Sequence, residues 1–254
     1  MLSAICCLLV LPLAWASFGV PNKQIVSGTN AKDCEFPHIA FVLIDTENGT
    51  FACGGSLIDS THVVTAAHCV DSGVTSVDVF FGSLNKRNMP HRISVSSLTI
   101  HGDYDGDNDI TVLNDVAVLT LSKAMKFSEC IKPIELAKAG DRFVGNCHIA
   151  GWGKTGEKMS SSVELLRATV PVLTKKQCSK YAGGLQTQHI CAGQLTENGK
   201  TTCQGDSGGP LMCYRASDSK LVLAGIVSYG WTCTEGLSVF ARVSHFNAWI
   251  TRNS

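Results

Sequence analysis

Apolar residues in this chain come in short bursts rather than long helical stripes. Residues 39–44, 54–58, 61–65, 77–81 and 93–100 are each rich in apolar or β-branched side chains and bounded by turn-forming residues. The same holds for 115–121, 143–152 and 222–229. Short runs separated by Gly, Asn, Asp and Ser clusters predict β-strands. Two places break the rhythm. Residues 174–181 read as a short surface helix capped by Thr174. Near the C-terminus, Phe246, Trp249 and Ile250 fall at i, i+3, i+4, which predicts a last helix with Ser244 as its cap. The pattern as a whole predicts an all-β protein of two β-barrels packed together, with a short C-terminal helix. A length of 254 residues suits one large β domain or two small ones.

The first residues follow a different pattern. Residues 2–13 are mostly apolar and run into Ala14-Trp15-Ala16, which has the A-x-A form of a signal-peptidase site. Residues 1–16 are therefore expected to be a cleaved secretory signal, since the run is shorter than the roughly 20 residues of a membrane-spanning helix. Residues 17–24 follow as a short polar pro-segment, and 25–254 as the folded domain. Lys+Arg and Asp+Glu each number 21, so the net charge is zero and nothing draws the chain to nucleic acid or an acidic membrane. Of the 12 cysteines, Cys6 and Cys7 fall in the expected leader. The remaining ten, in an exported chain, predict five disulfides whose connectivity spacing alone leaves open. Asn48-Gly49-Thr50 is a glycosylation sequon, meaningful in a secreted, extracellular protein.

The candidate chemistry centres on Thr202-Cys203-Gln204-Gly205-Asp206-Ser207-Gly208-Gly209-Pro210. Glycine allows backbone conformations that aim consecutive N–H groups at one point, as an oxyanion site requires. A serine hydroxyl is a weak nucleophile until a base, oriented by a third group, activates it. Upstream, His68 ends the apolar run Val63-Val64-Thr65-Ala66-Ala67, and Asp115 opens the run Val116-Ala117-Val118-Leu119. The other seven histidines are expected to be structural. No HExxH or paired CxxC spacing is present, so neither metal nor cofactor is expected. The acidic loop 101–109 departs from a calcium-binding EF-hand, with Asn108 at its sixth position and Asn114 at its twelfth, and reads as a solvated loop.

With His68, Asp115 and Ser207 in that order, each in its local motif, the sequence resembles the trypsin/chymotrypsin family of secreted serine peptidases from Ile25 to about Trp249. The resemblance implies two packed six-stranded antiparallel barrels with the site in the cleft between them. It implies His68 as general base, Asp115 as its orienting carboxylate, Ser207 as nucleophile, and the N–H groups of Gly205 and Ser207 as the oxyanion hole. Ser228 is expected to support Asp115. A freed Ile25 amine would pair with Asp206, although Gln24 stands where the family has a basic residue before the cut. The loop after Gly82 begins with Ser83 instead of the glutamate of calcium-binding relatives. Four disulfides are implied, Cys53–Cys69, Cys147–Cys213, Cys178–Cys191 and Cys203–Cys233, and Cys34 and Cys130 are then expected to join each other. Thr201 is expected at the base of the substrate pocket, Gly230 on its wall and Ser238 narrowing it, with Glu235 near the rim. An uncharged pocket favours apolar side chains over Lys or Arg; the alternative is a trypsin-like preference, with Glu235 readmitting a basic side chain.

The implied function is a secreted endopeptidase acting on proteins or peptides as a monomer, with protease inhibitors as a further partner class. Two other classes compete. A catalytically silent binding protein on the same fold would be expected to have lost the histidine or serine, and this chain keeps all three residues. A cysteine-rich matrix protein predicts internal repeats, and the sequence has none.

Overall fold

The computed structural model describes Ile25 and residues 28–106, 111–230 and 232–254. The expected signal, the pro-segment, Gln24 and part of the acidic loop lie outside the described residues.

The strands are β1 (Thr29–Asn30), β2 (Ile39–Thr46), β3 (Gly49–Leu57), β4 (His62–Thr65), β5 (Val74–Phe81), β6 (His91–Ile100), β7 (Ala117–Leu121), β8 (Glu135–Leu136), β9 (Phe143–Gly151), β10 (Leu166–Val170), β11 (Val172–Leu173), β12 (His189–Ala192), β13 (Pro210–Arg215), β14 (Leu221–Tyr229) and β15 (Ser238–Arg242). Two helices complete the fold, α1 (Lys175–Cys178) and α2 (Val243–Arg252). All eight runs expected to be strands are strands, most of them longer by a few residues than their apolar cores. Asp115 is the exception at a boundary, since it precedes β7 and does not lie in it.

Strands β2, β3, β4, β7, β6 and β5 form a closed barrel. The second half is a sheet in the order β1-β10-β9-β13-β14-β15-β12-β11, with β8 pairing in parallel with β14. β10, next to one end of this order, and β11, at the other end, belong to one stretch of chain. β10 pairs with β9 and β11 pairs with β12, and Pro171 alone separates β10 from β11. Proline has no N–H to give a ladder, so the run breaks there and its two pieces turn to different neighbours. The second half is therefore a half-barrel sheet and not the closed six-stranded barrel expected, because β10 and β11 pair with different strands and not with each other.

Alternation builds the first barrel's interior on β2, where Ala40, Val42 and Ile44 are buried and Phe41 and Leu43 are only half-buried. On β7, Ala117, Val118, Leu119 and Leu121 are all buried, because the strand lies between the barrel core and neighbouring chain. A single apolar cluster runs from this core (Val42, Val64, Val118, Leu119) into the second half (Ala150, Met212, Leu223, Ile226) and onto α2 (Phe246, Ile250). The halves therefore share a core, which opposes their sliding past one another.

The two helices obey different start signals. Thr174 caps α1 as expected. Its Oγ1 accepts from the Gln177 N–H at 3.2 Å while Gln177 Oε1 accepts from the Thr174 N–H at 3.0 Å, a reciprocal capping box. The helix is shorter than expected and ends at Cys178. Ser244 does not cap α2. The helix follows β15 directly, Arg242 is its N-cap, and no side chain bonds the free N–H groups. Burial of Val243 in the first turn anchors this end in place of a polar cap. All five expected disulfides form. No described helix is long and apolar enough to cross a membrane.

Leu119 is fully buried, opposite Val63 on one side and Leu98 on the other. Leu119→Ala should cost about 2–5 kcal/mol. A lowered urea midpoint at unchanged slope, with disulfides intact, is the expected outcome.

Candidate active site

Three short segments converge where the halves meet. His68 sits in a single 3-10 turn, Ala67–Cys69, directly after β4. Cys69 is tied to Cys53 on β3 by a disulfide, and Thr65 Oγ1 donates to the Gly54 carbonyl at 2.8 Å. Covalent and polar ties thus bracket the histidine on both sides. Its ring Nδ1 lies 2.9 Å from Asp115 Oδ2, and its backbone N–H donates to Asp115 Oδ1 at 3.0 Å. The same carboxylate accepts the Ser228 hydroxyl at 2.5 Å. Asp115 is 1% exposed, so each oxygen needs a donor, and each has one.

The electrostatics of the pair agree from both ends. Burial pulls the His68 imidazolium down, but the Asp115 hydrogen bond and charge outweigh it and leave the imidazole above its ordinary value. Burial pushes Asp115 up, while His68 and the Ser228 hydroxyl together hold it below the usual carboxylate range. The histidine is also near the sulfurs of Cys53 and Cys69, but these are joined to each other and offer no thiolate to a metal.

The nucleophile turn is held from two sides. Gly54 on β3 donates its N–H to the Ser207 carbonyl at 2.7 Å. Gly208 N–H donates to the Val227 carbonyl at 2.8 Å, and Val227 N–H returns a bond to the Gly209 carbonyl at 2.9 Å. Val227 and Ser228 are neighbours on β14, so one strand grips both the serine turn and the carboxylate behind His68. Gly205 and Gly208 have φ of +92° and +75°, in the left-handed region. A Cβ at Gly208 would stand 2.1 Å from Thr65 Oγ1 and 3.1 Å from the Ala66 nitrogen. The turn therefore packs against the chain leading into His68.

Two N–H groups of this turn stay unspent. Asp206 N–H bonds the Cys203 carbonyl at 3.0 Å, whereas neither Gly205 N–H nor Ser207 N–H has an acceptor among the described residues. Among those residues, too, no hydrogen bond links Ser207 Oγ to His68 Nε2. Nε2 instead lies 3.8 Å from Cys69 Sγ. Such contacts are often long in unliganded sites and tighten when substrate binds.

Asp206 points inward, 1% exposed, and accepts from Gly153 N–H at 2.9 Å and Cys203 N–H at 3.0 Å. Burial raises it to about 6 against the pull of those two donors. No cation pairs with it among the described residues. Ile25, its expected partner, is fully buried in the apolar core of the second half, with no hydrogen bond to Asp206. Gly151 and Gly153 explain the Gly-Trp-Gly motif. A Cβ at Gly151 would meet Asp206 Oδ1 at 2.1 Å, and one at Gly153 would meet the carboxylate carbon at 2.5 Å. Between them, Trp152 Nε1 donates to the Leu84 carbonyl at 2.7 Å, which pins the segment.

A cavity of about 440 Å³ opens beside Ser207. Gly230 and Ser238 line it, with Thr202, Gln204, Tyr229 and Thr232 among the other walls. Thr201 does not line it. It is 1% exposed, and its hydroxyl lies 2.7 Å from Ser238 Oγ. Thr202 lies on the cavity instead, with its Oγ1 2.6 Å from the same Ser238 oxygen. Counting six residues back from Ser207 gives a position in the chain but not the direction its side chain takes. Glu235 is exposed and off the lining, whereas Glu157, some fifty residues before the nucleophile in sequence, is on it. Nothing local in the sequence flags Glu157, because it reaches the cavity from a separate loop.

A closed barrel and a half-barrel sheet meeting at a cleft that holds a serine, an ordered imidazole and a buried carboxylate define the double-barrel class of serine protease. The chain belongs to the trypsin family: the family description Trypsin matches residues 25–250. Trypsin-2 of Salmo salar is 33% identical over 242 residues, covering 93% of this chain and 97% of the relative. Trypsin of Xenopus laevis is 32% identical over 250 residues, covering 96% of each. Cathepsin G of Mus musculus is 32% identical over 235 residues, covering 90% of this chain and 85% of that protein. The protein is a serine protease, a hydrolase.

Because Asp206 fills the space a side chain would need, Gly153→Ala should displace the serine turn. A shift of about 1 Å can cost roughly 100-fold in rate. The expected result is a fall of that order in kcat/KM, with the circular-dichroism spectrum of the fold retained.

Proposed function

We propose that this protein is a secreted endopeptidase that cuts peptide bonds through an acyl-enzyme on Ser207. The observation that carries the reading is the pair of unspent N–H groups at Gly205 and Ser207, beside an imidazole already ordered by a buried carboxylate. In this reading His68 Nε2 takes the Ser207 proton as Oγ attacks the carbonyl carbon. The oxygen of the tetrahedral intermediate then accepts from Gly205 N–H and Ser207 N–H. His68 gives the proton to the departing amine, and Asp115 holds the tautomer and stabilises the imidazolium. Water repeats the sequence to release the acid.

The chain would be exported by the signal at 1–16, and cleavage between Gln24 and Ile25 would end the life of the pro-segment at 17–24. The new Ile25 ammonium would then find Asp206, a buried carboxylate with donors but no cation. Asn48, exposed on the turn between β2 and β3, would carry a glycan. The working form would be a monomer, open to peptide substrates and protease inhibitors.

The cavity supports a preference for uncharged, apolar side chains before the scissile bond, such as Leu, Met, Phe or Tyr. Its inner polar groups, Thr202 and Ser238, are hydroxyls bonded to each other. They supply no charge to offset a buried cation. Glu157 favours a second reading, in which a basic side chain reaches past the hydroxyls' side of the cavity to a carboxylate. It is exposed, and an exposed ion pair is worth about 0–1 kcal/mol. The preference for Lys or Arg would therefore be weak.

A peptide library cleaved by protein with Ile25 as its first residue tests both readings. Apolar side chains before the cut are expected, and dominant cleavage after Arg or Lys would transfer the specificity to Glu157. Ser207→Ala should lower kcat by roughly 10⁶-fold. Retained turnover would rule out Ser207 as nucleophile, and no turnover by the parent protein would favour a silent binding role.

The general base must be neutral, so kcat/KM should rise with pH as His68 loses its proton. Since Asp115 raises His68 above its ordinary value, the midpoint should lie above about 6.5. A pH profile with a midpoint clearly below that value would contradict the assignment.

A further inference from the structure

Beside the serine turn runs a ridge of positive charge whose cations form no ion pair among the described residues. It starts at Gln204, on the wall of the cavity. Lys154 donates its backbone N–H to the Gln204 carbonyl at 2.7 Å and its Nζ to Gln204 Oε1 at 2.6 Å. Lys154 also forms an isolated β-bridge with Ser161. The Ser161 hydroxyl accepts from Lys86 Nζ at 2.8 Å, and Arg87 follows in the chain. Lys86 lies 5.8 Å from the ring centre of Phe41, on the first barrel.

Every hydrogen-bond acceptor these two lysines use is neutral. Among the described residues, neither lysine nor Arg87 forms an ion pair. Glu164, the acid nearest along this ridge in the pairing pattern, is engaged by the Asn85 amide at 2.7 Å. Glu157 lies on the cavity wall instead. Burial holds Lys86 below its usual value, and the adjacent Arg87 charge adds to that effect, while the buried Asp206 carboxylate opposes both without forming an ion pair with it.

A lysine anchored on an amide or hydroxyl keeps its full charge and has further donors to offer. An incoming carboxylate meets it without first breaking an internal ion pair. The anchoring also means that less side-chain freedom is lost when the carboxylate binds. The chain's zero net charge makes this a local feature and not a general basic character.

We propose that Lys86, Arg87 and Lys154 form a subsite for an acidic side chain of the polypeptide substrate, on the leaving-group side of the scissile bond. The side follows from the course of the ridge. The cavity holds the side chain before the bond, between Gln204 and the wall that includes Tyr229 and Gly230. From Gln204 the ridge leads off the cavity wall through Lys154 and Lys86 to Phe41 on the first barrel, so the proposal lays the chain after the bond along it. The assignment rests on the peptidase function proposed above.

The test uses the full protein processed to begin at Ile25, with internally quenched peptides that share one apolar residue before the cut. Each of the first three positions after the cut carries Glu, Gln or Lys in turn. At one of them Glu should raise kcat/KM about three- to tenfold over Gln, the scale of one or two partly exposed charge pairs. Lys there should lower it. The combined variant Lys86→Gln, Arg87→Gln, Lys154→Gln should bring the Glu-to-Gln ratio close to one. So should salt near 1 M, where the Debye length falls to about 3 Å. A ratio of one in the parent protein would overturn the proposal, as would a preference that survives the triple variant or one confined to positions before the cut. If no Gln peptide is cleaved at all, the peptidase reading itself fails, and the subsite with it.

Discussion

Two carboxylates withdrawn from water set the terms for the rest of the molecule. Asp115 and Asp206 are each 1% exposed, and each sits where the two halves of the chain touch. A buried carboxylate is tolerated only where donors replace its lost water. The protein meets that need mainly with backbone N–H groups and one hydroxyl, and each donor commits a loop to one position. Asp115 takes the N–H and ring of His68 and the hydroxyl of Ser228. Asp206 takes the N–H groups of Gly153 and Cys203. Through these bonds the two charges tie the loops of the site to one another.

The two are not alike, and the difference has a direction. Asp115 faces an imidazole that can carry charge, and its pKa goes down. Asp206 is hydrogen-bonded only by amide N–H groups, and burial carries it up to about 6 against those donors and the charge of Lys86. A carboxyl whose folded value lies above its unfolded one favours the fold most at low pH. That contribution declines as pH rises from the ordinary value of 3.8 and is lost above about 6. At neutral pH the carboxylate is therefore charged, with no ion pair among the described residues, under a turn that carries the serine. Its surroundings admit no simpler remedy, because Gly151 and Gly153 already give up their side chains to make room for it.

Features carried by contiguous motifs were the most legible from sequence. The segments around His68, Asp115 and Ser207 each combine a functional residue with a local backbone requirement, so their types and order point to one cleft. The Thr174 cap was legible because Gln177 stands three residues later and completes the reciprocal pair. What escaped depends on where side chains go after the chain has folded. Ser244 has the right chemistry for a cap, yet β15 runs straight into α2 and leaves no separate N-terminus for it to serve. Thr201 and Thr202 are chemically identical neighbours, and only the turn of the backbone decides which one meets the cavity. Glu157 reaches the same cavity from a loop whose local sequence has no periodicity to read.

The same distinction separates chemistry from selectivity in this fold. The reacting groups are fixed by short-range demands: glycine at positive φ, a disulfide beside His68, β14 gripping two segments through adjacent residues. Little of that can vary without breaking a buried bond. The cavity is built differently. Its inner hydroxyls satisfy one another, with Ser238 accepting or donating to both threonines, so the pocket is neutral without help from the catalytic groups. The loop behind it is packed backbone to backbone, where a Cβ at Gly236 would stand 1.9 Å from the Gln194 carbonyl oxygen. That contact holds the shape of the wall without dictating which side chains face inward. Charge on the exposed cavity side can thus change independently of the buried carboxylates, because exposed groups are screened by water, whereas half-buried Lys86 acts on Asp206 through its charge.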